Sequence, residues 1–177
     1  MGLRDLSCID AFMQGGDQPG SDPKRKLLFS PTDDIHGALK CILASAEQSI
    51  IVAMFGFDDD ELAQILKTKL EAEAIYVQLT LDSSQAGGVH EKAILTEMDY
   101  PNSSVAIGRS EHGAIMHLKL GVIDSAIVFR GSTNWSESGE TLQDNELSIA
   151  MDLEEAGRAS ARITAIHTWM LGHPPKP

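Results

Sequence analysis

A histidine and a lysine lie one residue apart in the segment HLKLGVIDSAIVFRGSTNWS, which covers residues 117–136. The apolar residues around His117 and Lys119 predict a buried strand over 114–123. Alternate side chains of a strand share a face, so these two polar groups should stand on one side, roughly 7 Å apart. Burying an imidazole and an ammonium without partners is costly. We therefore expect polar partners or a tetrahedral anion beside them.

An isolated His-x-Lys pair would favour a bland interpretation, in which the histidine belongs to the core and the lysine ends a strand. Here the pair is followed at fixed offsets by Asp124 and by the Gly-Ser-x-Asn stretch that begins at Gly131. Six matched positions are improbable by chance in one short chain. The candidate partners of the pair are three polar side chains further along the chain, those of Ser132, Asn134 and Glu146.

These residues resemble the signature of the phospholipase D superfamily, which reads here His117-x-Lys119-x-x-x-x-Asp124 and then Gly131-Ser132-x-Asn134. The downstream DNEL, with Glu146, resembles the acidic element that commonly follows this signature. The stretch FSPTDDIHGALKCILASAEQSIIVAMFGF resembles the opening strand-helix-strand, so the likeness covers about residues 26–172. The signature occurs once, as in the small bacterial nucleases and cardiolipin hydrolases of this superfamily.

The resemblance implies a phosphodiesterase in which His117 attacks phosphorus and forms a covalent phosphohistidine, so that one hard displacement becomes two easier ones. It also implies that Lys119 and Asn134 hold the non-bridging oxygens, with Ser132 in support, as fixed donors aimed at developing charge. Glu146 would accept a hydrogen bond from the other ring nitrogen of the histidine and orient it. We expect the reaction to need no cofactor.

Several neighbouring residues have less direct assignments. Asp124 belongs to the signature, but its place at a turn favours a structural role over a chemical one. Trp135 directly follows the site loop, so it is a candidate substrate contact as well as a packing residue. Arg109 and Lys92 could line the mouth of the site. We expect no metal site, since the acids at 58–61 should start a helix rather than converge.

The implied mechanism needs a second histidine as general acid, which typically contributes about 10²–10⁴-fold. We expect a homodimer in which a two-fold axis brings His117 of both subunits into one shared site, because an isologous interface does this automatically. Small one-motif members of the superfamily are dimers of that kind. The alternative is that His112 supplies the acid within one chain.

The hydrophobic periodicity predicts α/β architecture, with a mixed, largely parallel β-sheet flanked by helices on both faces. We expect residues 1–25 to be a loose N-terminal arm, with a short docked helix at 3–13 as the alternative, and 26–177 to be one phospholipase D-like catalytic domain. Strands are expected at 26–31, 49–57, 75–82, 103–108, 114–123, 126–131 and 145–151, and helices at 32–48, 58–74, 89–98 and 152–171.

Composition limits the partners. No apolar run is long enough to span a bilayer, and the N-terminus lacks a signal-peptide core, so Cys8 and Cys41 are expected to be reduced thiols in a cytoplasmic protein. The net charge of −12 argues against a module that grips long nucleic acid through phosphate contacts. An enzyme that handles one phosphate at a time remains compatible with it.

DNA or RNA is the favoured substrate. Three alternatives stay open: a hydrolase of anionic phospholipids such as cardiolipin, an inactive binding module, and a partner-dependent subunit of a larger assembly. The phospholipid alternative would gain from an exposed apolar rim beside His117. The binding module is disfavoured because an inactive site has no need to keep the whole polar set.

Overall fold

The computed structural model describes residues 3–16, 20–72, 75–85, 101 and 103–174. The strands, in chain order, are β1 (Arg25–Ser30), β2 (Ser49–Met54), β3 (Phe57–Asp58), β4 (Tyr76–Asp82), β5 (Val105–Gly108), β6 (Lys119–Ile123), β7 (Ile127–Gly131), β8 (Trp135–Ser136) and β9 (Asn145–Met151). The α-helices are α1 (Ile35–Ala44), α2 (Asp60–Glu71), α3 (Glu137–Thr141) and α4 (Leu153–Gly172), and a 3-10 helix covers Ser7–Phe12. The predicted helix at 89–98 lies outside the described residues.

Seven strands form one mixed sheet in the order β1-β9-β7-β6-β2-β4-β5, and β3 pairs with β8 separately. The mixed α/β class is confirmed, but the sheet is not largely parallel. Only β2–β4 and β4–β5 are parallel pairs in it, and the remaining pairs are antiparallel. The reason lies after Gly113, where the chain turns back directly instead of crossing over through helices. Asp124 and Ser125, with φ of 51° and 56°, make such a hairpin turn.

Helices cover both faces of the sheet, as predicted. On one face, α1 and α2 bury apolar residues such as Leu39 and Leu66 against the strands in the largest cluster of the core. On the other face, α4 places Ile163 and Met170 against Ala53 and Ala106. None of the helices in the described residues combines the length and the apolar character that a bilayer crossing requires.

The N-terminal segment is docked rather than loose over its described residues 3–16. Leu6 and Ile9 are fully buried in the main core, and the Leu6 amide donates to the carbonyl of Pro23 at 2.9 Å. Asp10 pairs with Lys26 at 2.7 Å. This apolar segment was too short for its residue spacing to distinguish a docked helix from an unstructured arm. The structure agrees with the alternative, a short docked helix.

Candidate active site

The structure places His117 on the loop that leads into β6, and Lys119 is the first residue of that strand. The strand predicted from residue 114 therefore begins five residues later. His117 is exposed, whereas Lys119 is 8% exposed. The histidine is thus not a core residue, and the lysine is the buried member of the pair.

The two side chains converge on each other. The Nζ atom of Lys119 lies 3.0 Å from Nε2 of His117 and 3.4 Å from the His117 carbonyl oxygen, so the separation of roughly 7 Å expected for ideal strand geometry is not kept. An ammonium can only donate hydrogen bonds. In a hydrogen bond between the two groups, Nε2 is therefore the acceptor and uses its lone pair.

The surroundings of Lys119 are apolar. Its ammonium lies 4.8 Å from the centre of the Phe55 ring, and that ring packs edge-on against His117 at 4.6 Å. Burial lowers the pKa of Lys119. Among the described residues, no carboxylate contacts this ammonium, so a buried cation is held without a counter-charge. Such a position favours an anionic ligand.

The loop after β7 can pass close to β9 because it begins at Gly131. A Cβ atom at that position would lie 2.0 Å from the Glu146 carbonyl oxygen. Ser132 then ties the loop to β9, because its Oγ donates to Oδ1 of Asn145 at 2.8 Å and accepts from the Glu146 amide at 3.1 Å. In this conformation Ser132 therefore holds the loop in place.

Asn134 is connected to His117 through one short backbone segment. Its Oδ1 accepts a hydrogen bond from the Gly56 amide at 3.2 Å, and Phe55, the residue before Gly56, contacts the His117 ring. A Cβ atom on Gly56 would lie only 3.0 Å from the amide carbon of Asn134. Since Oδ1 is engaged, the NH₂ group of this amide is the end that can donate to a ligand.

Glu146 lies at the same cavity as the histidine and lysine, but it does not touch the histidine. The side chain is exposed near the start of β9. Among the described residues, no hydrogen bond joins its carboxylate to His117. The cavity is about 310 Å³ in volume and is lined by His117, Leu118, Lys119, Leu120, Arg130, Gly131, Glu146 and Ser148.

Two signature-region residues lie away from this cavity. Asp124 ends β6, five residues or roughly 16 Å along the strand from Lys119, and its carboxylate accepts from the amides of residues 47–49 at 2.7–2.9 Å. These contacts favour the structural role for it. Trp135 is 1% exposed and packs between Phe57 and Phe129, which favours the packing role, and its contact with substrate stays a prediction.

The other residues considered for the site also lie elsewhere. Arg109 lines a separate cavity with Trp169 and His173, and Lys92 is outside the described residues. His112 is exposed in the turn before His117, and none of the hydrogen bonds of the described residues joins it to the site.

Sequence reasoning missed a second polar cluster. The Nδ1 atom of His36 lies 2.6 Å from Oε2 of Glu140 and 3.2 Å from Oδ2 of Asp59, so the acids at 58–61 do converge on a histidine. Burial raises the pKa of Glu140 to about 7. Burial acts to lower the pKa of His36, but the hydrogen bond to Glu140 and the nearby carboxylates outweigh it and raise the value. No spacing rule could reveal the cluster, since its members come from three distant segments.

The family is decided by comparison with known proteins. A family model described as "Cardiolipin synthase, PLD-like domain" matches residues 39–166, which include His117, Lys119 and the Gly-Ser-x-Asn loop. The chain belongs to this family. The predicted membership of the phospholipase D superfamily is confirmed.

Individual relatives agree with this placement. The phospholipase D-like chain is 21% identical to mitochondrial cardiolipin hydrolase of Chlamydomonas reinhardtii over 136 residues, which are 76% of this chain and 58% of that protein. The chain thus spans little more than half the length of this curated relative. NucT from Helicobacter pylori superposes with a TM-score of 0.71 at 26% identity, covering 81% of this chain and 94% of that one.

A second structure matches in fold. Nuc from Salmonella typhimurium, a phospholipase D family member, gives a TM-score of 0.70 at 16% identity, covering 80% of this chain and 92% of that one. At that identity the likeness supports the fold alone, and it agrees with the mixed sheet flanked by helices.

Proposed function

We propose that this phospholipase D-like protein is a phosphodiesterase whose nucleophile is Nε2 of His117. One observation carries the proposal: Nε2 faces a buried ammonium that can only donate, so the nitrogen keeps its lone pair. The same ammonium has no carboxylate partner among the described residues and can hold a phosphate oxygen. A nucleophile and an anion-binding group thus meet at one point.

The reaction then proceeds in two displacements. Nε2 attacks phosphorus, the P–N bond forms, and the bond to the leaving oxygen breaks while a general acid protonates that oxygen. Water next attacks the phosphohistidine, the P–N bond breaks, and the former acid takes a proton from the water. Lys119 and the amide NH₂ of Asn134 stabilise the charge on the non-bridging oxygens during both steps, and Ser132 keeps the loop that carries Asn134 in place.

The general acid is His117 of a second subunit in this proposal. The exposure of His117 leaves room for another imidazole, and a two-fold axis through the cavity would supply it. Glu146 lines the same cavity, so a side-chain rotation on assembly can bring its carboxylate to Nδ1 of His117. That hydrogen bond would keep the ring proton on Nδ1 and the lone pair on Nε2.

Nucleic acid is the substrate that we favour. The small single-signature members of the superfamily that this chain resembles include bacterial nucleases, and the match to NucT covers 94% of that chain. The net charge of −12 makes extended contact with a polynucleotide unfavourable. We therefore expect cleavage of short or single-stranded segments, with one phosphate engaged at a time, and only a weak dependence of substrate binding on salt.

A phospholipid such as cardiolipin is the second candidate, and a specific feature favours it. Leu27 and Phe29 are 46% and 48% exposed, and they pair across β1 and β9 with Ser148 and Glu146, which line the cavity. Cross-strand partners share a face, so this apolar rim borders the cavity directly. The relative named mitochondrial cardiolipin hydrolase fits the same reading.

The decisive experiment measures cleavage of plasmid DNA, single-stranded DNA and cardiolipin vesicles in excess EDTA by the wild type and by His117→Asn. We expect the variant to lose at least about 10⁴-fold in rate while its thermal unfolding stays unchanged. His112→Asn, which alters an exposed histidine of the same loop, should remain active and thereby exclude the one-chain acid. Activity in folded His117→Asn would overturn the proposal, and cleavage of vesicles alone would select the phospholipid.

The shared site has a quantitative test of its own. Wild type and His117→Asn are mixed in equal amounts, unfolded and refolded together, so that subunits combine at random. If both histidines are needed at one site, only dimers of two wild-type chains are active. The activity then falls to about one quarter of that of pure wild type at the same total protein concentration. Independent monomers would retain about one half, because each wild-type chain would still act alone.

A further inference from the structure

The cluster around His36 joins three helical elements of the fold. His36 is in the first turn of α1, Asp59 is the N-cap of α2, and Glu140 is in α3. One donor atom from each of these side chains lies within 4.8 Å of the others. An imidazole nitrogen and two carboxylate oxygens at this spacing are a set of atoms that transition metals bind.

An ion pair alone leaves the cluster unsatisfied. The Glu140 side chain is 1% exposed, and its Oε2 meets His36, but its Oε1 is buried without a hydrogen-bond partner among the described residues. A buried acceptor without a partner is costly. A cation held by both oxygens of Glu140 would satisfy the second oxygen as well as the first.

The second ring nitrogen of His36 has the kind of partner that metal-binding histidines have. Nε2 of His36 lies 3.4 Å from Oε2 of Glu61, and Lys40 pairs with that same carboxylate. A metal-bound histidine almost always donates its second N–H to a carboxylate, carbonyl or water, which fixes the tautomer. With its proton on Nε2 and directed to Glu61, His36 presents a free Nδ1 to Asp59 and Glu140.

The local charges also balance better with a divalent cation. When Glu140 is ionised, three carboxylates (Asp59, Glu61 and Glu140) face only two positive charges, those of a protonated His36 and Lys40. A neutral histidine with a divalent ion and Lys40 gives three positive charges against three negative ones. The site is half buried, where an uncompensated charge is more costly than at the surface.

Zinc would draw together three ligand atoms that already lie within 4.8 Å of one another. Tetrahedral zinc with nitrogen and oxygen ligands separates those ligand atoms by roughly 3.3 Å. The distance from Nδ1 of His36 to Oδ2 of Asp59 is 3.2 Å, whereas the 2.6 Å to Oε2 of Glu140 would have to widen by roughly 0.7 Å. A single imidazole and carboxylates also suit zinc better than magnesium, which takes oxygen ligands.

We propose that His36, Asp59 and Glu140 form a structural zinc site that fastens α1, α2 and α3 together. Through α3 the site supports the loop that carries Ser132, because the carbonyl of Gly139 accepts from Nδ2 of Asn145 at 2.9 Å and Oδ1 of Asn145 accepts from Ser132. Zinc takes no part in the phosphoryl-transfer steps, so this proposal stands or falls independently of the function proposed above.

The test measures zinc on the full-length protein. Protein stripped with a chelator and then equilibrated with buffered Zn²⁺ should bind one equivalent by mass spectrometry, and its Tm should rise with Zn²⁺ but not with Mg²⁺. His36→Gln and Glu140→Gln should each weaken binding by more than about 100-fold, and Glu61→Gln by about tenfold, since it removes only the partner of the second ring nitrogen.

Matched controls are Glu137→Gln, an exposed acid of the same short helix, and His112→Gln, an exposed histidine outside the cluster; both should bind zinc as the wild type does. X-ray absorption at the zinc edge should show nitrogen and oxygen ligands and no sulfur, which separates this site from one at Cys8 and Cys41. Wild type that binds no equivalent at micromolar Zn²⁺, or an equivalent that survives in Glu140→Gln, would overturn the proposal.

Discussion

The two ends of β6 carry polar residues of the same signature in opposite conditions. At the start of the strand, Lys119 is buried, and within the described part of the chain its ammonium meets a histidine nitrogen, a carbonyl and an aromatic ring but no carboxylate. Just after the last residue of the strand, the carboxylate of Asp124 accepts hydrogen bonds from three backbone amides. Sequence spacing assigns both residues to one signature, but their hydrogen-bond and charge partners in the structure differ.

The difference shows where folding free energy is spent and where it is gained. The contacts of Asp124 hold the turn before β2 against the turn after β6, so they stabilise the fold. The ammonium of Lys119 is partly desolvated without a counter-charge among the described residues, which costs stability until an anion binds. A residue that stabilises the fold has its hydrogen-bond partners in the free protein. A residue that binds substrate has a charge or a donor that only the substrate satisfies.

The largest effect that this comparison predicts is the loss of rate on removing the ammonium. Lys119→Met should lower kcat/KM by about 10²–10³-fold, because a fixed donor to the phosphate oxygens is lost. Its free energy of unfolding should stay equal or rise, since an unpaired buried charge is replaced by an apolar chain of similar length. Steady-state kinetics and thermal unfolding on one preparation check both parts. A variant that unfolds easily and keeps its activity per folded molecule would reverse the comparison.

The pH dependence of kcat/KM in Lys119→Arg is a second test of the Lys119 ammonium. Burial holds the pKa of Lys119 below its ordinary value of 10.5, so kcat/KM of the wild type should fall on the alkaline side at a pH below that value. The ammonium is active below its folded pKa and lost above it. In the arginine variant this alkaline limb should disappear, because a guanidinium stays charged. An unchanged limb would assign the titration to another group.

The stability of the folded protein should show the matching sign. The unfolded chain binds the proton of Lys119 more tightly than the folded one, so this lysine penalises the folded state below its folded pKa. That penalty disappears as the pH rises through the folded pKa towards the unfolded value. Lys119→Met, which has no proton to lose, should lack this contribution in a comparison of unfolding at neutral and alkaline pH.

The signature residues are close together along the chain, so their spacing was enough to group them. His117 precedes β6, Lys119 begins it, and Gly131 ends the neighbouring antiparallel strand β7, so short spacing becomes spatial proximity. The roles of these residues stay predictions. The start of β6 was predicted too early because apolar residues 114–116 continue the strand pattern into a loop. For Trp135 the sequence left packing and substrate contact both open, and the packing against Phe57 and Phe129 places its side chain in the core.

Features that depend on distant segments were out of reach of spacing rules. The convergence of His36, Asp59 and Glu140 requires three helices to meet, which no local pattern encodes. The antiparallel half of the sheet had a visible signal, the tight turn at Asp124 and Ser125, but the alternation of strands and helices upstream outweighed it. The position of Glu146 towards His117 depends on a side-chain rotation and on a partner subunit, and it stays a prediction.

The smallest effect lies at the other end of β6 and concerns stability. Asp124→Ala removes the acceptor of three backbone amides and should lower the free energy of unfolding by about 2 kcal/mol, or the Tm by roughly 4–8 °C. The rate per folded molecule should change little, because Lys119 of the candidate active site is roughly 16 Å away along the strand. Chemical denaturation and kinetics at a temperature well below the transition measure the two quantities separately.

Asp124→Asn is the matched control, because the single oxygen of an amide can replace only part of the carboxylate. Oδ1 serves the amides of Gln48 and Ser49, whereas Oδ2 serves Glu47 alone, and asparagine tolerates the positive φ of this position. The asparagine variant should therefore lose less than half as much stability as the alanine variant. If Asp124→Asn instead lost its activity while remaining folded, the carboxylate charge would act in the reaction, and the two ends of β6 would not be separate after all.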